Sequence, residues 1–200
     1  NIDYSKTQDQ GQDIRFVDAD ETTELSYEIE KWDESATSTL WVKAPQIEAA
    51  TDADHIWMYF SNSSAADAQD AAGVWSNGYE AVYHLYDDFL DSTSNSRDAT
   101  NSGSDDIAGQ FADGQDFAPI DELRLGNWSV NGSAITIQAW AYFDDFSQDD
   151  PRIVSKAVAE DVQDHVFMLS LSGDGERYPR MRIKTGTSDS SGTDTLIASS

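Results

Sequence analysis

The chain has 200 residues, with 38 acidic against 12 basic side chains, a formal charge of -26 and no cysteine. Nucleic-acid binding, which needs clustered cations to neutralise phosphates, is disfavoured, and an anionic membrane surface would repel the chain. Disulfides, thiolate metal sites and a cysteine nucleophile are excluded, and no apolar run approaches the ~20 residues that cross a bilayer, so no membrane insertion is expected.

Strand character appears first at Gly11-Gln12-Asp13-Ile14-Arg15-Phe16, then at Leu25 to Trp32, Leu40-Trp41-Val42-Lys43 and Ile56-Trp57-Met58-Tyr59-Phe60-Ser61-Asn62. Ser64 to Ala72 is the one stretch compatible with a helix, expected as a short surface helix. From Ala81 to Tyr86 the alternation places Val82, His84 and Tyr86 on one strand face, and Asp91-Ser92-Thr93-Ser94-Asn95 supplies side chains that bond their own backbone in a turn. Gly109-Gln110-Phe111-Ala112-Asp113-Gly114 reads as a strand closing in an Asp-Gly turn. Ser133 to Phe143 is the strongest alternating run and is expected to be a central strand, with Trp41, Trp57 and Trp140 in the core. Arg152 to Lys156, Val166 to Leu171, Arg180 to Lys184 and Thr195 to Ala198 complete the predicted strands. No window sustains a 3.6-residue apolar period, so the class is all-β.

The order of these motifs from Val82 onward resembles a concanavalin A-like, laminin-G-like jelly roll. Those before it resemble the uncharacterised β-domain fused ahead of such jelly rolls in secreted prokaryotic surface proteins. In that β-domain an aromatic-aromatic-Gly-Asn motif is usual, so Ser61 stands where a glycine would permit positive φ. The predicted organisation is a small N-terminal β-domain over residues 1–80 followed by a β-sandwich over 81–200. The resemblance implies further strands before Asn1 and after Ser200, and the chain is expected to be a piece of a longer protein whose open sheet edge another strand could complete.

Four groups of residues carry candidate chemistry. Glu28 and Glu30, two apart on a strand, share a face as glycosidase carboxylates do, but the run Tyr27 to Trp32 lacks the further acid of the jelly-roll glucanases, and a solvent-facing row is the default. His55, His84 and His165 have no transition-metal spacing, and the Gly-x-Ser-x-Gly nucleophile motif is absent. Jelly rolls of this family often hold calcium on a rim loop, which makes Asp91 and the pair Asp113 and Asp116 the candidate ligands; the alternative is that Asp91 caps its turn and Asp113-Gly114 is a hairpin. Trp75 and Trp128, set among Ser, Asn and Gly, are candidate platforms for the apolar face of a sugar.

These features predict a non-catalytic extracellular binding or adhesion module of a prokaryotic surface protein, recognising a glycan or a cell-surface protein. The alternatives are a structural subunit of a filament or pilus that binds neighbouring copies of itself, and a part of a polysaccharide-degrading enzyme. Asp occurs in every loop rather than in one tail, which points to a saline habitat, marine or halophilic. Self-repulsion acts over a Debye length of ~10 Å at 0.1 M salt, so the melting temperature should rise from dilute buffer to molar NaCl or KCl. An equal or lower midpoint in molar salt would show that repulsion is not the main electrostatic effect.

Overall fold

The computed structural model describes residues 2–144, 146–147, 151–159, 165–172, 177–184 and 193–198. Among them the architecture is almost entirely antiparallel β-sheet, the all-β class expected, and it divides into two compact units, residues 1–130 and 131–200.

The first unit is organised by β1 (Arg15–Asp18), which lies between β2 (Glu24–Leu25) and β5 (Ile56–Tyr59). Phe16 opposes Leu25 on one side and Met58 on the other, so one face gathers apolar side chains across the three strands. The hairpin of β3 (Tyr27–Lys31) and β4 (Thr39–Val42) supplies the facing layer. Ile14, Phe16, Leu25 and Tyr27 form the buried cluster, with Ile29, Leu40, Val42 and Phe60 packed against it. Tyr27 is buried to 1 % exposure, and its hydroxyl avoids a desolvation cost by donating to the Ile14 carbonyl at 2.8 Å.

The segment after β5 departs from the expected helix. Asn62 to Asp70 is irregular chain instead: Gln8 Nε2 donates to the Asn62 and Ala65 carbonyls, Arg15 to the Ala66 carbonyl, Gln69 Oε1 accepts from Ile29 N at 2.6 Å and Asp70 N donates to Tyr27 O at 2.9 Å. Backbone groups that a helix would pair internally serve Gln8, Arg15 and Tyr27, and helix appears among the described residues of this segment as one turn, α1 (Ala71–Val74), capped by the Asp70 carboxylate on Gly73 N. Two small ladders follow, β6 (Thr100–Ser102) with β9 (Glu122–Arg124) and β7 (Asp105–Ala108) with β8 (Asp113–Asp116).

Several expectations are corrected in these regions. Ala81 to Tyr86 forms no strand, because Leu85 and Asp87 sit at φ 62° and 57° and break the alternation. Asp113-Gly114 lies within β8 rather than in a turn; the connection is Gly109 to Ala112, where Gly109 N donates to Ala112 O and a Cβ on Gly109 would meet the Asp113 carbonyl at 2.4 Å. The loop 82–92 of the first unit is bonded to β3 through His84 and Ser92.

In the second unit β10 (Arg152–Ala157), β11 (His165–Leu171), β12 (Pro179–Lys184) and β13 (Thr193–Ile197) form a four-stranded antiparallel meander, matching the strands predicted at these places. Met168 and Ser170 on β11 are fully buried, and Arg180 donates from Nε to Ser170 Oγ at 3.1 Å. Burial, followed by repulsion from Arg182, holds the Arg180 pKa below its ordinary value. Ser133 to Phe143 belongs to none of the described ladders, and Trp140 is 68 % exposed, so neither the central strand nor the core position holds. Alternation assigns faces to a strand, but a ladder needs a neighbour along the backbone. Trp57, also expected inside, is 42 % exposed on the edge strand β5.

Two backbone positions test the first unit. Gly11 sits at φ 68° with its α-carbon against the Trp32 ring, where an added Cβ would come within 2.8 Å. Gly11→Ala should therefore cost about 2 kcal/mol or more. Ser61 adopts φ 83°, the conformation that favours glycine, and Ser61→Gly should stabilise by about 0.5 kcal/mol. Denaturant titration of both variants checks the opposite signs.

Candidate functional site

The most concentrated chemistry in the first unit is built on β3. Glu28 and Glu30 are the two carboxylates that alternation places on one side of the strand, and His84, from the loop between α1 and β6, stands between them. Its Nε2 lies 3.0 Å from Glu28 Oε2 and its Nδ1 lies 3.4 Å from Glu30 Oε2. As an imidazolium the ring can donate to both acids; as a neutral ring it can donate to one.

The rest of the shell satisfies the same acids. Glu28 Oε2 also accepts from the indole N–H of Trp75, and Glu28 Oε1 accepts from Ser92 Oγ at 2.6 Å. Glu30 Oε2 accepts from Trp41 Nε1 at 2.5 Å. The rings enclose the group: Trp41 stacks on His84 with centroids 5.7 Å apart, Trp75 lies 5.2 Å from Trp41, and Phe111 meets the far side of Trp41 at 5.6 Å. Burial pushes the Glu28 carboxyl up, but the hydrogen bonds from His84, Ser92 and Trp75 outweigh it and hold the group below its ordinary value of 4.5. Side-chain exposures of 13 % for Glu28 and 4 % for Glu30 leave little room for a substrate to reach either acid.

Neither candidate sugar platform is an open ring. Trp75 is held by Glu28 and packs edge-on against Tyr79, while Trp128 lies under the Arg97 guanidinium at 4.2 Å and donates its indole N–H to Leu125 O. Arg97 in turn pairs with Glu80 at 2.6 Å.

The three candidate calcium ligands do not converge. Asp91 is 8 % exposed and accepts from Val82 N, Thr93 N, Thr93 Oγ1 and Arg97 N at 2.9–3.0 Å, which is the turn-capping role. Its charge, after burial, helps push the nearby Tyr83 hydroxyl up to about 12. Asp113 and Asp116 are three residues apart on β8 and so face opposite sides, opposite Ala108 and Asp105 respectively. Among the described residues no group of three His, Cys, Asp or Glu side chains is placed to hold a metal.

The sequence does not pair His84 with Glu28 and Glu30, because 56 positions separate His84 from Glu28. The signal present was two acids alternating with Tyr27, Ile29 and Lys31 in one strand, with indole donors at Trp41 and Trp75 to satisfy them.

Residues 10–102 match the model of a family described as Domain of unknown function (DUF2341). The match covers β1 to β6, the Glu28 cluster and the loop that carries His84 and Asp91, and so runs through residue 80 without a break. No curated protein and no solved structure matches the chain.

Glu28 sets an acid limit on stability. Its folded-state pKa is depressed, so its contribution is fully present above the unfolded value of 4.5 and is lost as pH falls through the lower folded value. Glu28→Gln should destabilise the first unit by about 2–3 kcal/mol at neutral pH and flatten the loss of stability below pH 4.5. Urea melts of both proteins from pH 3 to pH 7 measure this, and an equally steep acid limb in the variant would remove Glu28 as its source.

Proposed function

We propose that the chain is a non-catalytic extracellular binding or adhesion module of a surface protein, with glycans or a surface protein as its ligands and a concanavalin A-like second domain. The observation that carries the non-catalytic part is the internal bonding of the pair: both Glu28 oxygens and Glu30 Oε2 are taken up by side chains of the same unit. A glycosidase needs one acid protonated beside the leaving group and the other open to the sugar or to water. Here the acids bind His84, Ser92 and two indoles, and they hold three segments of chain together. Among the described residues no helix is long and apolar enough to cross a membrane.

A filament subunit completed by strand addition is the second reading, favoured by β5. This strand lies at the edge of its sheet, and Ile56, Trp57, Met58 and Tyr59 are each 39–48 % exposed. An apolar edge of this kind is a template for a further strand.

Labelled chain applied in molar NaCl to an array of neutral and acidic oligosaccharides should be retained on a subset of the glycans, with no release of reducing sugar. Reducing sugar released by the wild type and abolished by Glu28→Gln would replace the module reading with an enzyme. Sedimentation in the same buffer separates the second reading: concentration-dependent polymers that Trp57→Lys dissolves would favour the filament.

A further inference from the structure

A concave feature of the first unit contrasts in character with the Glu28 cluster. It is a cleft of about 400 Å³ at the end of β3, lined by Gln10, Gln12, Trp32, Gln69, Tyr86 and Asp87 among others. The volume lies in the range that small-molecule sites occupy, ~300–1,000 Å³.

The walls of the cleft are fixed from behind. Gly11 lies on the Trp32 ring closely enough to exclude any Cβ, which holds Gln10 and Gln12 at the rim on either side of it. Gln69 is held by Ile29 N through Oε1 and by Asp67 through Nε2. The Tyr86 ring lies under Lys31 Nζ at 5.7 Å. The working groups themselves are uncommitted: among the described residues the Gln10 amide, the Gln12 Nε2, the Tyr86 hydroxyl and the Asp87 carboxylate make no side-chain hydrogen bond, while Gln12 Oε1 only accepts from Gln10 N at 3.0 Å.

The chemistry of these groups selects the ligand. Amides and a phenol offer donors and acceptors side by side, the pattern that vicinal hydroxyls match. Asp67, Asp87 and Glu30 on the same walls repel anions, and no three acids are placed to hold a metal among the described residues. Trp32 and Tyr86 supply apolar surface for a pyranose ring.

We propose that this cleft binds one uncharged sugar residue of a glycan, with Gln10, Gln12 and Tyr86 hydrogen-bonding its hydroxyls. The proposal deepens the binding-module reading and rests on it. The test applies the full chain in molar NaCl to spots of neutral oligosaccharides, uronate-bearing oligosaccharides and a simple alkylamine. Wild type is compared with a Gln10→Ala/Gln12→Ala double variant and with Tyr86→Phe, which keeps the ring. Since these groups hold little else, melting temperatures should be unchanged. Affinity for the neutral glycans should fall at least tenfold in the double variant and severalfold in Tyr86→Phe. Neutral glycans bound equally by wild type and variants would overturn the cleft assignment while leaving the module reading intact. Retention on no glycan would overturn the cleft assignment and leave a surface protein as the module's ligand, and preferential retention on the uronates or the alkylamine would overturn the uncharged ligand.

Discussion

The Glu28 carboxylate is the joint on which the first unit depends. It is nearly buried, it cannot remain without donors, and those donors come from three places: Trp75 after α1, His84 and Ser92 in the following loop. Satisfying one acid therefore fixes where some twenty residues of irregular chain must lie against β3. Asp13 does similar work on a smaller scale. Its Oδ1 accepts from Gln8 N and its Oδ2 from Ser61 N and Asn62 N, which ties the start of the chain to the turn after β5 and holds Ser61 at positive φ. Asp91 does the same within its own loop.

These three acids show how a chain with few cations stabilises buried negative charge. With 12 Lys and Arg against 38 acids, most carboxylates have no basic partner to meet. The buried ones are met by backbone N–H, indole N–H and hydroxyl groups, which cost no extra charge and are insensitive to salt screening. Backbone donors from Gln8, Ser61 and Asn62 outweigh burial and hold the Asp13 pKa below the ordinary value. Most of the other described acids are exposed, where their mutual repulsion is a matter of ionic strength. The same residue type thus forms the internal joints and the solvated exterior.

Strand existence was legible where alternation and β-branched or aromatic residues coincided, as at Phe16, Tyr27 to Lys31, Leu40 to Val42 and all four strands of the second unit. The positive φ at Ser61 was legible from a single missing glycine. What the sequence did not reveal was which neighbour each segment would find. Ser64 to Asp70 has helix-compatible composition, yet Gln8, Arg15 and Tyr27 took its hydrogen bonds. Ser133 to Phe143 has ideal alternation, yet joins no described ladder. Of the candidate site, Glu28, Glu30, His84 and Trp75 could each be picked out, but the contact between Glu28 and His84 spans 56 positions, and no local pattern encodes it.

Commitment of polar groups separates the Glu28 cluster from the cleft by Trp32 better than residue type does. The Glu28 cluster contains acids, a histidine and tryptophans, the vocabulary of an active site, and both Glu28 oxygens are bonded within it. The cleft by Trp32 contains glutamines, a tyrosine and an aspartate that leave their bonds open toward solvent. A protein of charge -26 gains nothing from long-range attraction to an anionic partner, and in concentrated salt it loses long-range attraction to a cationic one as well. Recognition must then rest on short-range hydrogen bonds and ring contacts, which act at any ionic strength. Open amides beside aromatic walls on a rigid backing meet that requirement, and a bonded carboxylate network is what keeps the backing rigid.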